Sequence, residues 1–193
     1  AAAVTSGVGI EVAQPEEEVE VMGANNRQQL AVLERALQSR EALRLMTEGV
    51  TLVDPARLDV RGTVVVGRDI FMDINVVLEG QVTIEDDVEI GPNCVIRNCV
   101  IWRGSVIKAF SHLEGAELGE ACEVGPYARL RPGTRLAQGA KVGNFVETKK
   151  TSIGKDSKAT GQILDYLPSN ETGYGILRLE NVNGTFVEPF AFG

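Results

Sequence analysis

From Val66 to Lys158 an apolar side chain returns at every sixth position. Neither a helix, with about 3.6 residues per turn, nor a strand, with its two-residue alternation, produces that interval. Val66, Met72, Leu78, Ile84, Ile90 and Ile96 keep it without a slip, and a five-residue step then leads to Ile101 and Ile107. Leu118, Val124, Leu130, Leu136 and Val142 resume it, and Ile153 follows one more short step. The fourth residue beyond each is often small or branched, as at Val82, Val88, Cys94, Ala128, Ala140, Val146 and Ser157. Gly, Asp, Glu and Asn crowd the positions between. Six residues therefore make one short strand and one turn, three such units close one coil, and the fold class predicted is mainly β, a parallel β-helix of hexapeptide repeats.

Burial explains the period. One hexad cannot hide its apolar residue, whereas stacked coils align equivalent side chains about 4.8 Å apart in a continuous inner column. Roughly fifteen hexads give about five coils, above the three repeats such a stack needs. A sandwich of short strands would instead show alternation over about 4–8 residues with turns every 8–12 or so. Spacing does not set the hand of the coil.

Composition narrows the function classes. The chain has 193 residues, 44% hydrophobic and 5% aromatic, enough for one core and suited to narrow coils with little room for rings. No apolar run approaches the roughly 18 residues a membrane span needs, and the N-terminal segment lacks the basic start of a signal peptide, so a cytoplasmic protein without a membrane partner is predicted. The formal net charge of −8 repels phosphate backbones and argues against nucleic acid as a partner. Cys94, Cys99 and Cys122 contain no CxxC pair and read as reduced, space-filling residues. A metal-dependent hydratase on such a coil would need several histidines, and the chain has one, His112.

Ahead of the coils, residues 10–22 read as strand-like at both ends around the loop Pro15-Glu-Glu-Glu. A helix then runs from a cap at Asn25 or Asn26 to Glu48, with Gly49 as its stop and Leu30, Val32, Leu33, Leu37, Leu43 and Leu45 as its apolar stripe. Residues 1–24 form one segment, 25–49 the linker helix, 50–158 the coils and 159–193 a tail of short strands. That tail is too short for a core of its own and is placed as a cap on the last coil.

Several runs resemble one family in order and spacing: Val21-Met-Gly-Ala-Asn-Asn-Arg-Gln-Gln-Leu30, Gly49-Val-Thr-Leu-Val-Asp-Pro-Ala-Arg57, Asp59-Val-Arg-Gly-Thr63, Ala128-Arg-Leu-Arg-Pro-Gly133 and Gly143-Asn-Phe-Val-Glu-Thr-Lys-Lys150. Over about residues 8–158 they look like the middle of the bacterial bifunctional UDP-N-acetylglucosamine pyrophosphorylases and glucosamine-1-phosphate N-acetyltransferases. The resemblance implies a left-handed β-helix, the end of a nucleotidyltransferase domain before the helix, and assembly as a homotrimer. It implies acetylation of glucosamine 1-phosphate by acetyl-CoA, then uridylylation to UDP-N-acetylglucosamine for peptidoglycan and lipopolysaccharide.

The chemistry needs cations for a sugar phosphate and a base for the amine proton. Arg131 and Lys149 lie three hexads apart, one whole coil, so both can face one phosphate, and the resemblance gives them that task. Arg129, Lys141 and Lys150 read as surface charges. The family's catalytic histidine falls at Gly161 here, and His112, placed where the beat slips, reads as a turn or surface residue. The resemblance implies magnesium at Asn25 in the parent enzyme, while in this chain Asn25 reads as a helix cap. A weaker similarity to a sugar-contact segment implies N-acetylglucosamine contacts at Gly175 and Glu188. The chain thus looks incomplete for both reactions and binds neither Mg²⁺ nor acetyl-CoA tightly. A non-catalytic β-helix scaffold, or a sugar-phosphate-binding trimerisation module, is the alternative.

Overall fold

The structure, a computed structural model, describes residues 14–159 in full and the backbone of residues 163–168 and 175–179. It divides into two compact units, Ala1–Leu37 and Gln38–Gly193. In the first, the strand-like reading of the segment before Met22 is corrected: Glu18–Val21 is a single 3-10 turn. The acidic run satisfies its own backbone, with the Glu20 N–H donating to the Glu17 carbonyl at 3.1 Å and the Glu16 N–H to Glu20 Oε2 at 3.3 Å. Helix α1, Arg27–Glu48, follows. Asn26 is its cap: Asn26 Oδ1 accepts from the Gln29 N–H at 2.8 Å, and Gln29 Oε1 accepts from the Asn25 N–H at 2.7 Å. This reciprocal pair satisfies two donors that a helix start leaves open.

The apolar stripe predicted for α1 is also corrected. Of its six residues only Leu45 is buried, Leu33 is half-buried, and Leu30, Val32, Leu37 and Leu43 are exposed. The buried face of the helix within the second unit is Gln38, Ala42 and Leu45. Gln38 Nε2 donates to the Val60 carbonyl at 2.8 Å, and Gln38 Oε1 accepts from the Val60 N–H at 2.7 Å. One side-chain amide thereby stands in for a neighbouring strand along the first coil, where the open backbone would otherwise be an unpaired edge. A polar residue cannot be found by searching for an apolar stripe.

The coils begin with Val50–Leu52 and Leu58–Val66, and every pairing among them is parallel. Three inner columns run up the stack. Met72, Ile90, Ile107, Val124, Val142 and Ala159 line face I. Val60, Leu78, Ile96, Leu113, Leu130 and Thr148 line face II. Val66, Ile84, Ile101, Leu118, Leu136 and Ile153 line face III. These pairings are a parallel β-helix, as the six-residue period predicts. Leu78, Ile90, Ile96, Ile107, Leu113 and Leu130 are fully buried.

Leu113 corrects the reading of the region around His112. The beat does not slip there: Leu113 stands six residues after Ile107, and His112–Glu114 is a regular strand of face II. The five-residue steps are Ile96 to Ile101, Leu113 to Leu118 and Thr148 to Ile153, all at the corner between faces II and III. Between them the coil that carries Arg131 keeps the full six residues from Leu130 to Leu136. Lower on the same corner the backbones approach so closely that a Cβ on Gly62 would lie 2.1 Å from the Gly80 carbonyl oxygen, so only glycine fits.

The three cysteines are buried, free thiols. Cys94, Cys99 and Cys122 donate to the carbonyls of Lys108, Arg97 and Ala137, each at 3.2 Å. Burial pushes the Cys94 and Cys99 thiols up to about 11, so they stay protonated and unreactive near neutrality. At the corner between faces I and II, Phe110, Tyr127 and Phe145 stack outside the coils, with ring centroids 4.9 and 5.2 Å apart. Beyond Ala159, Ile163–Pro168 pairs antiparallel with Gly175–Leu179. Among the described residues no helix is long and apolar enough to cross a membrane.

Candidate functional site

Register decides which side chains meet on the outside of face II. Leu130 pairs with Thr148, and the Arg131 N–H donates to the Thr148 carbonyl at 2.9 Å, so Arg131 and Lys149 occupy equivalent positions on adjacent coils. The same outer row contains Arg61, Glu79, Arg97 and Glu114 in turn below them. Charge alternates along this row up to Arg131 and then fails to alternate. Low on the row, Arg97 bridges Glu79 at 2.7 Å and Glu114 at 3.5 Å. Higher up, a pair of cations stacks with no carboxylate between them in the row, an arrangement that costs stability when like charges stand directly opposite.

The adjoining outer row supplies His112, Arg129 and Glu147. Glu147 Oε1 accepts from Arg131 Nη1 at 3.0 Å and lies 4.0 Å from Arg129 Nη1. Lys149 has no acidic partner among the described residues. Its carbonyl accepts from Thr151 Oγ1 at 2.9 Å, which fixes the backbone just beyond it. The corner behind Arg131 is pinned from inside the coil: Thr134 is fully buried, its Oγ1 donates to the Arg131 carbonyl at 2.7 Å, and it sits 3.0 Å from Thr148 Oγ1. Arg131 and Arg129 share one carboxylate while Lys149 stacks on Arg131 in its own row, which leaves an excess of positive charge on this face, and guanidinium and ammonium groups together suit an oxyanion such as phosphate.

Sequence reasoning brings Arg131 and Lys149 together. It leaves Arg129 as a surface charge and assigns Glu147 nothing, although those two lie one coil apart by the same count of 18 residues that joins the other pair. His112 Nε2 is buried without a hydrogen-bond partner. A second charged cluster, Lys108 and Lys141 on Glu123, lies on face I, where the hydrogen bond from Lys108 holds the Glu123 carboxyl below its ordinary range.

Asn25 precedes α1, and its backbone serves the cap described above. One amide oxygen does not make a magnesium site, and the described residues contain no group of three His, Cys, Asp or Glu that could hold a metal ion. Gly175 pairs with Pro168 in the antiparallel strands. Gly161 and Glu188 lie outside the described residues.

Six-residue coils of parallel strands with a cationic outer face define a hexapeptide-repeat β-helix protein. Residues 60–163 match the sequence profile described as the GMPPB C-terminal domain, and the chain belongs to that family. Among curated proteins it is 57% identical over 173 residues to the "Bifunctional protein GlmU" of Pseudomonas putida strain F1, which covers 90% of this chain and 38% of that protein. The protein of the same name from Stutzerimonas stutzeri strain A1501 gives the same identity and coverage. That of Paraburkholderia phytofirmans is 51% identical over 171 residues, 89% of this chain and 37% of its own. The chain thus matches a portion of these bifunctional proteins and spans 38% of the length of the first of them. A match of 173 residues is longer than the segment 8–158 on which the motif resemblance rests. Among solved structures, a mutant of perosamine N-acetyltransferase from Caulobacter crescentus, in complex with CoA and GDP-perosamine, is 19% identical, with a TM-score of 0.42 over 64% of this chain and 62% of that one. That overlap is too loose to bear on the site.

Proposed function

We propose that the upper coils of face II bind the phosphate of glucosamine 1-phosphate through Arg131 and Lys149, as the sugar-phosphate site of the acetyl-transfer half of a bifunctional enzyme. That enzyme acetylates the sugar phosphate with acetyl-CoA and uridylylates the product to UDP-N-acetylglucosamine for peptidoglycan and lipopolysaccharide. One observation carries the reading: two cations stack on adjacent coils in a row that is otherwise charge-paired, an arrangement that folding alone does not favour. The identity to the bifunctional GlmU proteins supports it.

The chain works within a cytoplasmic homotrimer in this reading. Gly161 stands where the family has its histidine, so the chain lacks the base that accepts the amine proton, and on its own it transfers no acetyl group. Acetyl-CoA and Mg²⁺ bind it weakly, and Asn25, Gly175 and Glu188 act only in the parent enzyme. Calorimetric titration of the chain with glucosamine 1-phosphate tests the site. Arg131→Ala weakens binding by about 1.5–3 kcal/mol, the worth of a charge-assisted hydrogen bond. Unchanged binding removes Arg131 from the site, and no binding to the unsubstituted chain leaves the scaffold alternative standing.

A further inference from the structure

Resting on the phosphate site proposed above, we infer that Thr134 and Thr148 are positioning residues for it: their buried hydroxyls tie the coil of Arg131 to the coil of Lys149 and hold the two cations ready for one phosphate. Both side chains lie inside the stack, where packing alone calls for no hydroxyl. Thr148 follows Leu78, Ile96, Leu113 and Leu130 in the inner column of face II, all of them aliphatic. Thr134 follows Cys99 and Ala116 at the corner between faces II and III. A hydroxyl at either place costs stability unless it is hydrogen-bonded.

The bonds it makes are directed at the two cations. Thr134 Oγ1 donates to the Arg131 carbonyl at 2.7 Å and lies 3.0 Å from Thr148 Oγ1. A hydroxyl has one proton to give, and Thr134 commits its own to the carbonyl, so Thr148 donates to Thr134. The Arg131 N–H meanwhile donates to the Thr148 carbonyl at 2.9 Å. Both backbone groups of Arg131 are thus tied to the residue just before Lys149, one directly and the other through Thr134. The Thr134 N–H closes the turn Arg131-Pro-Gly-Thr134 onto the same carbonyl at 3.2 Å, with Gly133 at φ 85°. Pro second and Gly third suit a type II turn. The lower row lacks this tie: at the equivalent corner Ala116 has no hydroxyl, and Cys99 gives the Arg97 carbonyl only a thiol at 3.2 Å. Charges there pair with one another, whereas like charges on adjacent coils push apart. A backbone fixed from within keeps Arg131 and Lys149 at one spacing before the ligand arrives, so binding loses less freedom.

Titration calorimetry of the full chain with glucosamine 1-phosphate tests this. Thr134→Val and Thr148→Val keep the shape and remove the link, and each is expected to weaken binding about three- to tenfold, the worth of a neutral hydrogen bond. Thr134→Ser keeps the hydroxyl and restores most of the affinity. In a chain already carrying Arg131→Ala, Thr134→Val costs no further affinity, because the group it positions is gone. Unchanged binding by either valine variant, a loss at Thr134→Ser as large as at Thr134→Val, or an equal loss with and without Arg131 would overturn the positioning role and leave the phosphate site standing. If the unsubstituted chain does not bind glucosamine 1-phosphate, the site itself fails and the positioning falls with it. Circular dichroism checks the fold of each variant, and should Thr134→Val not fold, Thr148→Val and Thr134→Ser decide.

Discussion

The lower and upper stretches of face II share one backbone and one interior and differ in what they present to solvent. Below, Glu79, Arg97 and Glu114 neutralise one another along the row. Above, Arg131 reaches sideways to Glu147 and Lys149 is left without an acidic partner among the described residues. Inside, Leu78, Ile96, Leu113 and Leu130 fill equivalent positions throughout. A repeat fold thus separates its two tasks: the inward residues fix the coil, and the outward ones vary without disturbing it.

The largest expected effects test the shared interior. Leu78→Ala and Leu130→Ala each lower stability by about 2–5 kcal/mol in urea denaturation, because both leave a cavity in a fully packed column. A much smaller loss at Leu130 would show that the upper coils are packed differently. Next comes the difference itself. Lys149→Glu extends the alternation of the row, so it leaves stability unchanged or raised while weakening glucosamine 1-phosphate by about 1.5–3 kcal/mol or more. Unaffected binding would place the phosphate elsewhere. Arg97→Ala, its counterpart below, changes stability by no more than about 1 kcal/mol and leaves ligand binding alone. A loss of binding there would erase the distinction between the lower and upper stretches.

The smallest effect concerns the corners. Cys94 and Cys99 have folded-state values raised from 9.0 to about 11, so below pH 9 they are neutral thiols and resist iodoacetamide at pH 8 until the chain is unfolded. Each favours the folded state below its unfolded value, and that contribution is lost as pH rises from 9 toward 11. A melting temperature that falls as steeply without Cys94 as with it would assign the decline to other groups.

The coil was legible because one apolar residue per hexad is the minimum that stacking demands, and Val66 through Ile96 keep that interval without error. Leu113 continues the run of Ile101 and Ile107 by one more six-residue step, and the five-residue step to Leu118 directly after it hides that membership. The helix stripe misleads for a different reason. An amphipathic pattern finds apolar burial, while α1 packs through Gln38, whose value lies in its two hydrogen bonds. At the site, the count of one coil joins Arg131 to Lys149. The same count joins Arg129 to Glu147 but misses the shorter contact of Glu147 with Arg131, which lies diagonally across two rows, where the sequence separation of 16 residues matches neither the hexad nor the coil.

Gln38 has one more consequence. By occupying both hydrogen-bonding groups of Val60, a single amide makes the bottom rung refuse further neighbours, so the array has a fixed starting point. Lengthening such a tower by inserting extra repeats must therefore proceed above this foundation, and each added storey would carry the cationic face farther from Gln38 without altering the floor plan beneath.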